Sequence, residues 1–195
     1  MNTEQADLLR YLGIARDALT WKLEGLSEYD ARRPMTPTGT NLLGIIKHVA
    51  TVEAGYLGEA FGRRFVEEMP WAEDDAEANA DMWATPDQSR EYILDLYARV
   101  AEHSAETVAA LGLEAEATVP WWPADRNPVT VHRILVHMIA ETNRHAGHAD
   151  IVRELIDGAA GLRADNSNLP DVDAQWWIDY RERLEQAARE AQQPG

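Results

Sequence analysis

The sequence predicts an all-α protein: a four-helix bundle with a long crossover after its second helix and an additional C-terminal helix. Three observations carry that reading. Apolar residues recur at steps of three and four in four long segments, the periodicity of helices that bury one face. Each segment is bracketed by capping and stop residues. Strand signals are absent apart from Ala117-Thr118-Val119, and there is no internal repeat.

The elements follow in order. Thr3 is placed to cap a first helix running through Leu8, Leu9, Leu12, Ile14, Leu19 and Leu23 to about Gly25. Ser27 opens a short helical turn. The turn-rich stretch Pro34-Met35-Thr36-Pro37-Thr38-Gly39-Thr40 leads into a second helix, about Asn41 to Phe61, which Gly62 stops. Residues 63–84, rich in acid, Ala and Trp, are too long for a hairpin between neighbouring helices, so they are expected to cross the bundle. Thr85-Pro86-Asp87-Gln88 has the form of a capping box and predicts a third helix from about Pro86 to Leu111, before Gly112. A loop with Pro120, Trp121, Trp122, Pro123 and Asn127-Pro128 leads to the fourth helix, about Thr130 to Asp157, ending at Gly158. Asp171 or Asp173 starts a fifth helix, whose Trp176, Trp177, Tyr180 and Leu184 can pack on the bundle or on a second subunit as a homodimer contact.

Length and composition bound the function. At 195 residues the chain is most economically one domain, residues 1–195, with the bundle over about 3–158 and the last helix over about 171–192. Lys and Arg number 18 against 34 Asp and Glu, a formal net charge of −16. Nucleic acid and anionic membrane surfaces are repelled by such a chain, and the longest basic run is Arg63-Arg64. There is no cysteine, which excludes disulfides, zinc thiolate sites and cysteine nucleophiles; any thiol chemistry must borrow its thiol. No apolar run approaches the length of a membrane span and Met1 to Arg10 carry no leader signal, so a cytoplasmic location is expected.

The fourth helix holds the chemistry. Ile134, Met138, Glu141, His145, His148, Val152 and Leu155 form its seam, and three of the seven are ionisable. A carboxylate taken out of water without a partner costs several kcal/mol, which a bound dication would offset. On the second helix Ile45, His48, Val52 and Gly55 share the same spacing, so His48 faces inward from a different helix. Glu141 and His145 stand one turn apart and can share an ion, as can His145 and His148. Glu141 and His148 lie roughly 10 Å apart along the axis, too far for one ion to reach both without strain. Charge favours the first pair, with His148 outside the direct ligands. The bland alternatives are a hydrogen-bonded core histidine at position 48 and an intrahelical pair at 141 and 145 with no metal. His137 lies just off the seam and His132 on the opposite face. Gly147, inside the helix, costs roughly 1 kcal/mol relative to Ala and leaves room for a neighbouring backbone or a ligand.

Two stretches, Thr40-Asn41-Leu42-Leu43-Gly44-Ile45-Ile46-Lys47-His48-Val49-Ala50 and His137-Met138-Ile139-Ala140-Glu141-Thr142-Asn143-Arg144-His145-Ala146-Gly147-His148-Ala149-Asp150, resemble the DinB-like metal-binding bundles. More narrowly they are similar to the actinobacterial branch related to mycothiol-dependent maleylpyruvate isomerase and mycothiol S-transferases. The likeness spans most of residues 5–160. It implies an up-down-down-up bundle and a divalent metal, zinc first, with nickel or iron as alternatives. Many members use three histidines; here the middle position is Glu141, so the resemblance carries the ligand roles to His48, Glu141 and His145. His148 falls where many relatives have Gln.

The resemblance implies an enzyme that uses a low-molecular-weight thiol, mycothiol or a similar one, as nucleophile on a small electrophile, in transfer or isomerisation. His148 and Arg144 are then placed to position an acidic substrate or relay a proton. The alternatives are a metal-dependent hydrolase and a non-catalytic metal- or ligand-binding stress protein.

Overall fold

The computed structural model describes residues 3–192. Its bundle consists of α1 (Thr3–Thr20), α3 (Leu42–Leu57), α4 (Arg90–Leu111) and α5 (Val131–Asp157). A short α2 (Glu28–Arg32) joins the first two, and α6 (Ala174–Ala191) follows the bundle. Two short strands, β1 (Glu116–Ala117) and β2 (Val129–Thr130), pair antiparallel in the connection before α5.

Helix directions follow from which ends meet. Glu4 lies by His132 and Lys22 by Arg153, so α1 and α5 are parallel. Lys47 meets Gln88 and Gly58 meets His103, so α3 and α4 are parallel as well. His48 meets His145 while Tyr56 meets His137, so α3 opposes α5. The bundle therefore runs up-down-down-up, and a parallel α3–α4 pair obliges the chain between them to travel the bundle's length.

Capping sets the boundaries. Ser27, Asn41, Ser89, Thr130 and Asp173 each accept the backbone N–H three residues on, an interaction worth about 1 kcal/mol apiece. Gly112 and Gly158 take the positive φ that lets the chain leave α4 and α5. Several bounds differ from the sequence reading for local reasons. After Thr20 the first helix tightens into a 3-10 turn, Trp21–Leu23. The second breaks at Gly58, where a Cβ would stand 2.5 Å from the Ala54 carbonyl, and a 3-10 turn runs to Phe61 before Gly62. The third starts at Arg90, because Ser89 is the working cap. Gln88 does accept from the Thr85 N–H, at 3.1 Å, but it also accepts from Lys47 and belongs to the loop.

The α5 seam is correct in its first half and drifts in its second. Ile134, Met138, His145 and Val152 are buried, whereas His148 is exposed and Leu155 is 64% exposed. A straight α-helix falls about 20° behind a seven-residue repeat per heptad, and the three heptads from Ile134 carry Leu155 out of the interface.

Three apolar clusters fill the bundle: one toward Leu19, Leu43, Ile46 and Ala149, a second toward Leu12, Leu57, Ile134 and Met138, and a smaller one of Ala54, Met69, Leu96 and Val100. Between the first two sits a polar waist with a residue from each long helix: Arg16, Glu53, Tyr97 and Thr142. Arg16 and Glu53 form a two-pronged ion pair with the Glu53 side chain wholly buried. Burial pushes the Tyr97 phenol well above its ordinary pKa, so it stays neutral.

On α6 the Trp176 and Tyr180 rings stack at 4.9 Å, and no residue of that helix is buried. No helix of the described residues is long and apolar enough to cross a membrane.

Removing one partner of a buried pair strands the other, so Glu53→Gln is expected to lower stability by about 3–5 kcal/mol in urea unfolding. The double change Arg16→Met with Glu53→Leu should recover most of that loss. A double variant as unstable as the single one would mean that shape, not charge, is what the pair supplies.

Candidate metal centre

The site begins with how α3 receives the crossover. Gly44, Lys47, His48 and Thr51 share one helix face, and each meets the segment that runs past it. At Gly44 a Cβ would lie 1.8 Å from the Met82 carbonyl oxygen, so only glycine lets the backbone come this close. The Asn41 side-chain amide donates to that oxygen at 3.1 Å. Lys47 is almost wholly buried, and its ammonium must find acceptors. It donates to the Ala80 and Trp83 carbonyls, both at 2.8 Å, and to Gln88 Oε1 at 3.0 Å, while lying 4.2 Å above the Trp71 ring. Burial pushes its pKa down to about 8. Trp71 Nε1 donates to Thr51 Oγ1 at 2.8 Å.

This docking delivers Asp81 to His48. The imidazole Nδ1 donates to Asp81 Oδ2 at 2.6 Å, which fixes the ring and leaves Nε2 as the nitrogen free for another partner. The bond holds the Asp81 carboxyl below its ordinary pKa. Sequence reasoning missed Asp81: it is one acid among many in an irregular segment, and no spacing ties it to position 48. Lys47 did carry a signal, as a lone cation among the apolar residues of α3.

On α5, His145 Nε2 lies 3.0 Å from Glu141 Oε1, and Arg144 Nη1 stands 3.7 Å from the same oxygen. The His48 and His145 rings meet edge-on, centroids 4.8 Å apart. Among the described residues, one ligand atom from each of His48, Glu141 and His145 lies within 4.8 Å of the others. Burial, and then the neighbouring His48, lower the His145 pKa, so its ring is neutral at pH 7 and keeps a lone pair. Its Nδ1 is buried without a partner, a loss of about 1–3 kcal/mol that a strong interaction at Nε2 would offset. Two imidazoles and one carboxylate drawn from two helices suit a borderline dication with coordination positions left open.

The other candidates fall outside this cluster. His148 is exposed, its ring 5.4 Å from that of His145, and Arg144 is mostly in solvent. Nothing occupies the space beside Gly147. His132 pairs loosely with Glu4, and His103 Nε2 donates to the Arg63 carbonyl at 2.6 Å.

The cluster opens into a cavity of about 540 Å3, lined by His48, Glu141, Tyr56, Trp121, His137 and the start of the crossover. Tyr56 anchors the aromatic wall: its hydroxyl accepts from Trp122 Nε1 at 2.7 Å, and its ring meets those of Trp121 and His137 edge-on. Gly55 gives Trp121 its place, since a Cβ there would touch the indole at 3.3 Å. Of the aromatics that could face inward, Tyr56 and Trp121 do so. Trp83 and Tyr92 do not, although the Tyr92 hydroxyl donates to the lining residue Glu67.

Compared with known families, residues 7–158 match the model described as mycothiol-S-transferase. No curated protein matches the chain.

Asp81→Asn is expected to weaken zinc binding by roughly 10–100-fold in chelator competition, as loss of a carboxylate behind a ligating histidine does. Unchanged affinity would remove Asp81 from the site. Burial lowers the pKa of both His137 and His145, so the folded state binds fewer protons than the unfolded chain as the medium acidifies. The stability this gives is complete above the unfolded value of about 6.5 and is lost as pH falls through the lower folded values. Thermal unfolding in chelator should therefore show Tm falling from pH 7 to pH 5, and falling less in His137→Gln.

Proposed function

The chain belongs to the mycothiol S-transferase family, and we propose that it joins a low-molecular-weight thiol, mycothiol, to a carbon electrophile bound in the cavity above His48, Glu141 and His145. The observation that carries this reading is the convergence of those three side chains, from α3 and α5, two of which, His48 and Glu141, line a cavity large enough for a small organic molecule. The absence of cysteine agrees with it, since the sulfur must come from the cosubstrate.

A bound divalent cation, zinc in the first instance, would supply the positive charge that keeps a thiol ionised at neutral pH. His48, Glu141 and His145 would hold it, with the His48 ring fixed by Asp81. His137, neutral because burial lowers its pKa, presents a lone pair inside the cavity and takes the thiol proton. Tyr56 accepts from Trp122, which leaves its own O–H proton for the electrophile. The sulfur lone pair then forms the S–C bond. Either the leaving group departs with its electron pair, or the electrophile's π bond breaks and its second carbon takes a proton.

Purified protein is expected to carry a stoichiometric divalent metal by elemental analysis, lost in Glu141→Ala and His145→Ala. The adduct should form only when mycothiol is present, and the two variants should fall to the uncatalysed rate. Turnover of the electrophile without any thiol would replace this reading with a hydrolase, and absence of turnover with every thiol tested would leave a binding protein.

A further inference from the structure

The same cavity holds information about the electrophile, and the inference here rests on the transferase reading. Besides Glu141 its wall carries Glu59, Glu67, Glu73 and Asp74, all contributed by the chain just after α3. Arg64 is the one lysine or arginine among the lining residues, and it is held by Glu73 at 2.8 Å. Glu67 is engaged by Arg99 and by the Tyr92 hydroxyl, which leaves Glu59 and Asp74 without a cationic partner among the described residues. His137 is kept neutral by burial. Arg144, the cation that an acidic substrate would need, does not line the cavity; it is 63% exposed and leans on Glu141.

We propose that the cavity selects electrophiles without negative charge, and that Glu59 and Asp74 are the residues that exclude carboxylates. A dication held by the three converging side chains would neutralise Glu141 but not Glu59 or Asp74, which are both exposed. An incoming anion would meet these charges in the field of a chain whose net charge is −16. It would also give up water where the one guanidinium of the lining, Arg64, is already paired with Glu73. The aromatic part of the lining favours the converse ligand. Tyr56 and Trp121 offer aromatic surface to a flat uncharged group, and ring faces attract a cation where they repel an anion. A dicarboxylate substrate would thus find one guanidinium in this lining, Arg64, and that one already held by Glu73.

The test uses full-length metal-loaded protein, mycothiol and a set of acrylamides alike except for a neutral, trimethylammonium or carboxylate tail, with uncatalysed rates subtracted. At low salt, kcat/KM should be at least about tenfold lower for the carboxylate than for the neutral compound. The gap should narrow with added salt, because these residues are exposed and screened over about 8 Å at physiological ionic strength. It should narrow likewise in the double variant Glu59→Gln, Asp74→Asn. Equal or better use of the carboxylate, or a gap indifferent to both salt and the variant, overturns the proposal. Ligand-observed NMR with phenyltrimethylammonium and benzoate reads the same selection on metal-free protein. If no acrylamide is turned over, the transferase reading fails, and weaker binding of benzoate alone sustains charge selection. Equal binding of the two removes it.

Discussion

One buried ammonium organises the half of this molecule that carries the candidate metal centre. Lys47 sits on the apolar helix α3 with three acceptors and a ring face, and all of them lie in the chain between α3 and α4. An irregular segment has backbone carbonyls to satisfy, and a buried lysine has protons to place; each solves the other's problem. The pairing is local and directional, so it fixes the register of the crossover on α3 to a single arrangement. In that arrangement Gly44 admits the Met82 carbonyl, and Asp81 comes onto His48. The up-down-down-up order thus does more than connect helices, because the long segment that it requires supplies the carboxylate behind a site histidine.

The polar waist shows the same economy at the bundle's centre. Arg16, Glu53, Tyr97 and Thr142 lie between the two larger apolar cores, with Glu141 and His145 beside them on α5. A paired charge at mid-bundle contributes little to net stability and penalises any slip of one helix along another, since a shifted register would leave a charge unpaired. Precise registry matters here because the three converging side chains come from two helices, and a displacement of one turn, about 5.4 Å, would exceed their separation.

Much of this was legible in the sequence. Four helices and the crossover follow from periodicity and turn chemistry, which act locally, but α4 is capped by Ser89 and not by the Thr85 of the expected capping box. The juxtaposition of His48 with Glu141 and His145 followed from polar residues on facing seams, because an ionisable group at a buried position stands out. What could not be read were interactions whose partners lie in irregular chain. Asp81 has no period to mark it, and the buried Arg16–Glu53 pair joins positions 37 residues apart on helices whose offset the sequence does not state. Leu155 and His148 were misplaced for a geometric reason, the drift of a straight helix from a seven-residue repeat. The acidity of the cavity wall was visible only as overall composition; that four acids from the chain after α3 line one cavity is a property of the folded crossover.

The carboxylate in the triad has an electrostatic logic of its own. Two neutral imidazoles and one carboxylate around a dication would leave a single positive charge, and an arriving thiolate would cancel it. Three imidazoles would leave a net positive charge after the thiolate had bound. In a partly buried site the arrangement closest to neutrality costs least in lost hydration, so Glu141 suits the loaded state rather than the free one. Without a cation Glu141 stays in touch with His145 and Arg144 at 25% side-chain exposure. The position of Glu141, on the edge of the core rather than inside it, leaves its carboxylate reachable from the cavity once the bundle has folded.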